Sequence, residues 1–162
     1  MNKIFRLIIA IVVCELAGVI GSLFTTPSIA SWYTGLAKPK LSPPNWVFGP
    51  VWTTLFLLMG IAAFLIWSSY AKAADGQAKG RIKMALGIFL GQLALNTLWS
   101  VIFFGLHFPG AAFVEIIFLW LTIFATIIAF GRISKSAAWL LAPYILWVTF
   151  AGYLNLFLWI LN

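Results

Sequence analysis

Five long apolar stretches alternate with short polar or proline-rich connectors along the chain, at about residues 5–24, 47–67, 82–106, 111–130 and 137–160. Each is close to the roughly 20 apolar residues an α-helix needs to cross the hydrocarbon of a bilayer. A membrane barrel would instead show alternating segments of about ten residues. That alternation is missing, so the pattern predicts five membrane-spanning helices. Glycines inside the stretches fit this reading, because membrane helices use Gly where backbones approach. Residues 1–162 then form one all-α integral membrane domain, a five-helix bundle with no room for a separate soluble unit.

The first stretch also has the outline of a secretory signal, with Lys3 and Arg6 before it and Ser28-Ile29-Ala30 after it. Its length and the Glu15 at its middle argue for a retained span.

Composition supports the class. Of the residues, 64% are hydrophobic and 8% charged, with a mean hydropathy of +1.08. A soluble domain carries about a quarter charged residues, so a soluble enzyme is excluded, as are a disordered chain and a collagen-like fibre. The net charge of +7 comes from ten Lys and Arg against three acids. The bases sit between the apolar stretches rather than on one solvated stripe, which fits headgroup contact and topology setting, not nucleic-acid binding. Lys3 and Arg6, Lys72 to Lys83, and Arg132 with Lys135 fall on one side of a five-span bundle, and only Lys38 and Lys40 fall on the other. The excess of bases on the cytoplasmic side of membrane proteins therefore predicts a cytoplasmic N-terminus. Cys14 is the single cysteine, which excludes a disulfide framework.

The first connector stands apart. Residues 26–50 hold Pro27, Pro39, Pro43, Pro44 and Pro50 together with Trp32, Tyr33 and Trp46. Fixed φ angles and large amphipathic rings predict a structured lid over one end of the bundle, where a plain linker would be rich in Gly and Ser.

Candidate chemistry lies in the aromatic and amide residues. Trp32, Trp46, Trp67, Trp139 and Trp159 fall near span ends, as in an interfacial belt. Trp52, Trp99, Trp120 and Trp147 lie deeper, where an inward-facing indole would wall a flat apolar cavity and offer a lone N–H donor. Helical spacing puts Trp52 with Phe56, Asn96 with Trp99 and Ser100, and Trp147 with Ala151, Leu154 and Asn155, each set on one face. Asn96 and Asn155 should point inward, as interhelical hydrogen bonds or ligand anchors, with Asn155 the more structural of the two. Glu15 and Glu115 lie within spans and are candidate functional acids, or protonated groups at helix interfaces. Gly87 and Gly91, four apart, form a small-residue face suited to helix packing or a dimer. His107 is the only histidine, so no catalytic triad or multi-histidine metal site can be assembled in one chain. Asp75-Gly76 reads as a turn, and no nucleotide-binding glycine motif is present.

Three segments together resemble the TspO/MBR family of translocator and tryptophan-rich sensory proteins. They are Trp32-Tyr33-x-x-Leu36-x-Lys38-Pro39-x-x-x-Pro43-Pro44-x-Trp46-x-Phe48-x-Pro50-Val51-Trp52, then Gly91-Gln92-Leu93-Ala94-Leu95-Asn96-x-x-Trp99, then Pro143-Tyr144-x-x-Trp147-x-x-Phe150-Ala151-x-x-Leu154-Asn155. The resemblance covers essentially the whole chain. It implies a five-helix bundle, commonly a homodimer, with a pocket under the first loop for porphyrins such as protoporphyrin IX and for benzodiazepine-site ligands, and the short termini favour a bacterial cell membrane. Carried over by motif, the pocket takes Tyr33 and Pro43 from the loop and Trp52 and Phe56 from the second span. It takes Asn96 and Trp99 from the third, and Trp147, Ala151 and Leu154 from the fifth. The resemblance also links Trp52 and Trp147 to light- and oxygen-dependent breakdown of bound porphyrin. It implies no resident cofactor and no metal.

Three functions follow as expectations. One is a receptor or sensor for porphyrins or other flat apolar molecules, modulating tetrapyrrole traffic or stress responses. The second is a porphyrin-degrading enzyme that uses Trp52 and Trp147. The third is a proton-coupled exporter of aromatic cations that uses Glu15. No basic residue follows Tyr153, so a cholesterol motif of the Leu/Val, Tyr, Lys/Arg type is incomplete.

Overall fold

The computed structural model describes residues 2–162, which form six α-helices and, among those residues, no strand. Helix α1 covers Lys3–Ser31, α2 Phe48–Lys72, α3 Gly76–Ser100, α4 Pro109–Gly131, α5 Lys135–Leu140 and α6 Ala142–Leu161. They make five crossings, each long and apolar enough to span a membrane, with α5 and α6 sharing the last.

Four boundaries differ from the sequence expectation, each for a backbone reason. Residues 26–31 were expected in the loop but continue α1, with Pro27 inside the helix. Proline withholds one N–H from the Leu23 carbonyl without ending the helix, as membrane spans tolerate. The fifth span is not continuous, because Pro143 has no N–H for the ladder and opens a new helix after Leu141. The third crossing continues past Ser100 as a π-helical turn over Val101–Gly105, closed by Leu106 N–H on the Val101 carbonyl at 2.8 Å. Asp75 is the N-cap of α3 rather than part of a plain turn, accepting from the Ala78 N–H at 2.6 Å.

Helix α1 packs along α2 and α3, α2 also meets α3 and α5, and α4 lies between α3 and α6. Helices α1 and α2 approach closely at Gly60, where a Cβ would stand 2.6 Å from the Ile11 Cα. Only glycine fits there, and the contact fixes the inner half of the bundle around buried Cys14, Met59, Ala62 and Ile66. Since α6 joins the bundle through α4 and α5, a space remains between α1, α2, α3 and α6. Gly87 and Gly91 lie on the outer face of α3 with open space where each Cβ would be.

Candidate functional site

The space between the four helices is a cavity of about 310 Å³, at the small end of the range typical of ligand pockets. Its walls are mainly aromatic. Trp52 and Phe56 stack one turn apart on α2, with centroids 5.6 Å apart and planes at 29°. Opposite them α3 contributes Asn96 and Trp99, and the π-helical turn adds Phe103 and Phe104. Trp99 stacks on Phe103 at 5.0 Å, and Phe103 meets Phe104 edge-on at 4.8 Å. From α6 come Trp147, Ala151 and Leu154, and from α1 a strip of small residues, Gly18 and Gly21, with Glu15 a turn below them. Gly18 is required by Phe56, since a Cβ would stand 2.5 Å from its ring.

The first loop covers one end of the cavity, whose lining residues Val19, Ser22, Gly49 and Thr53 remain exposed. It is shorter than the sequence suggests, running between α1 and α2 with short 3₁₀ turns at Tyr33–Gly35 and Asn45–Val47. Tyr33 is only 3% exposed and stands in the cavity wall between Phe104, 5.8 Å away, and Phe48, 6.4 Å away. Burial pushes its phenol above the ordinary tyrosine range, because the charged phenolate is poorly solvated there. Trp32 stacks on His107 at 4.4 Å, and the His107 ring Nε2 lies 3.3 Å from the Ser28 hydroxyl. That hydroxyl donates to the Phe104 carbonyl at 2.7 Å. His107 has φ 53°, the left-handed region, which turns the chain sharply between the π-helical turn and α4. The Asn162 side chain completes the closure: its Oδ1 accepts from Ala37 N–H at 2.9 Å and its Nδ2 donates to Ala37 O at 3.1 Å.

Buried amides order the walls. Asn96 Nδ2 donates to the Tyr144 hydroxyl at 3.0 Å, and that hydroxyl donates to Gln92 Oε1 at 2.8 Å. This chain ties α3 to α6 where no water competes. Trp99 Nε1–H donates to Asn155 Oδ1 at 2.9 Å, and Asn155 Nδ2 donates to the Pro109 carbonyl at 2.7 Å. Asn155 thus joins three crossings, while Asn96 both binds Tyr144 and faces the cavity. Trp147 Nε1 is buried without an acceptor in the protein, and both carboxylate oxygens of Glu115 are buried without a hydrogen-bond partner.

Of the residues expected in the pocket, Tyr33, Trp52, Phe56, Asn96 and Trp99 line one cavity with Trp147, Ala151 and Leu154. Pro43 does not; it lies half-buried in the lid. Trp120 is also outside, stacked on Phe124 with its indole donating to Thr149 at 2.8 Å. Glu115 is buried away from the cavity, whereas Glu15 lines it. Phe103 and Phe104 were missed, although extending the Asn96, Trp99, Ser100 spacing by one more turn reaches both.

Comparison with known proteins gives a consistent picture. The model of the TspO/MBR family matches residues 10–160. The "Tryptophan-rich protein TspO" of Chlorobaculum tepidum is 45% identical over 96% of this chain and 95% of its own. The human "Translocator protein" is 39% identical over 86% of this chain and 80% of its own. The "Tryptophan-rich sensory protein" of Cereibacter sphaeroides is 38% identical over 76% and 72%, respectively.

Proposed function

The chain belongs to the TspO/MBR family, and from that premise we propose that it is a membrane receptor or sensor that binds porphyrins or similar flat apolar molecules. The observation carrying this reading is the lidded cavity whose walls are Trp52, Phe56, Trp99 and Trp147. Flat faces gain apolar burial and stacking there. The side chain of Asn96 is a polar handle for ring substituents.

A second reading, porphyrin breakdown in light and oxygen, is favoured by one feature: Trp52 on α2 and Trp147 on α6 face the same cavity. Light absorption and oxygen activation would be the ligand's chemistry, with the indoles held where they can react. Illumination in air of protein loaded with protoporphyrin IX distinguishes the two. A new porphyrin product lost in Trp52→Phe and Trp147→Phe supports the enzyme, and saturable binding without such a product supports the receptor.

The asymmetry of basic residues supports a cytoplasmic N-terminus. A second copy of this chain is the proposed partner at Gly87 and Gly91, whose outward face leaves space for a closely approaching helix.

A further inference from the structure

The cavity has aromatic walls and one carboxylate. Among the described residues lining it, Glu15 is the only Asp or Glu, and no Lys, Arg or His stands beside it. Glu15 is half-buried and is the lining residue of α1 farthest from the lid, so it belongs to the cavity floor. One turn on, Gly18 abuts the Phe56 ring, and Trp52 stacks on that ring from above. The carboxylate therefore stands about a helical turn from a two-ring aromatic wall. The bases of α1, Lys3 and Arg6, lie nine or more residues nearer its N-terminus than Glu15 and do not line the cavity, and the Arg6 guanidinium is over the Trp67 ring at 5.9 Å.

We infer that Glu15 is a charge-selecting residue: the cavity takes a flat aromatic ligand bearing a cationic nitrogen held at Glu15, and turns away one that puts a carboxylate there. This rests on the cavity being the binding site proposed above. Two effects act together on such a nitrogen. Ring faces attract cations, most strongly indole, and a carboxylate partly withdrawn from water lacks a counter-charge within the protein. A ligand carboxylate at the floor would meet a like charge and no base. A porphyrin with acidic side chains would instead sit with its acids toward the lid, where Lys38 Nζ is 4.8 Å from the Tyr33 ring centroid. The chain's net charge of +7 attracts anions non-specifically. Preference for a cation would thus have to originate in the cavity.

The test uses one bicyclic ring in three charge states: N-methylisoquinolinium, isoquinoline and isoquinoline carboxylate. Each is titrated by tryptophan quenching into protein in nanodiscs of zwitterionic lipid, which removes charge selection by the bilayer. Wild type should bind the cation about tenfold more tightly than the anion, with the neutral ring between them. Glu15→Gln should bring that ratio close to one by weakening the cation and strengthening the anion, and Glu15→Asp should retain the preference. An unchanged cation-to-anion ratio in Glu15→Gln overturns the inference and leaves the cavity reading standing. Failure of all three probes to quench folded wild-type protein overturns both.

Discussion

At the residue scale, the polar groups inside the bundle are the sensitive points, because each has few alternatives in a medium without water. Asn155 satisfies the Trp99 indole and the Pro109 carbonyl simultaneously. Asn155→Leu keeps the volume roughly but leaves a donor and an acceptor buried and unpaired, at about 1–3 kcal/mol for each. Thermal unfolding in detergent should show a clear fall, larger than for Ser22→Ala, whose exposed hydroxyl only bonds back to its own helix. Tyr33 gives a pH prediction. Its folded-state pKa is raised from the ordinary value of 10.0, so the closed lid holds a proton that an opened lid releases. Closure is then fully favourable below about pH 10 and weakens as pH rises above it. Ligand release should accelerate in that alkaline window, and Tyr33→Phe should remove the part of the acceleration due to the phenol. Much of this site was legible in the sequence, since Trp52 with Phe56 and Trp147 with Ala151 are one helical turn apart and must share a face. Asn96 was legible as inward but not as a partner of Tyr144, because spacing within one helix says nothing of what the next helix brings opposite. Pro43 was assigned to the pocket by motif alone, and its place in the lid could not be read from loop sequence.

At the element scale, the five apolar stretches announce the helices, while their joints depend on details that hydropathy does not encode. Helix α1 runs through Pro27 because one lost bond is tolerable, whereas Pro143, without an N–H for the ladder, sits in the first turn of α6 and divides the last crossing after α5 ends at Leu140. The π-helical turn at Val101–Gly105 is invisible to a 3.6-residue period. Helix pairing, by contrast, can be tested through single contacts. Gly60→Leu would drive a side chain into the Ile11 backbone and should separate α1 from α2, costing about 1–3 kcal/mol or more. Loss of thermal stability with a weakened cavity would be the readout, and an unaffected protein would show that α1 and α2 do not approach as described. The lid has an equally local test. Asn162→Ala removes both bonds to Ala37, each worth about 1 kcal/mol, so stopped-flow release of a bound ligand should be several-fold faster with little change in melting temperature.

At the scale of the whole molecule, a bundle packed tightly on its α1–α2 side and tied by amides on its α3–α6 side leaves one aromatic chamber under a fastened lid. That arrangement suits the proposed capture of a flat molecule at the membrane. The central claim is that ligands bind inside this chamber, and the most direct measurement is a dark titration of protoporphyrin IX by tryptophan quenching, wild type beside Ala151→Phe. Ala151 lines the cavity from α6, so a phenyl ring there occupies the ligand's space without touching the outer surface. Wild type should show saturable quenching with one ligand per chain, and Ala151→Phe, folded and of similar melting temperature, should show little or none. Equal saturable binding by both proteins would contradict the claim, because the porphyrin would then be held somewhere other than the cavity.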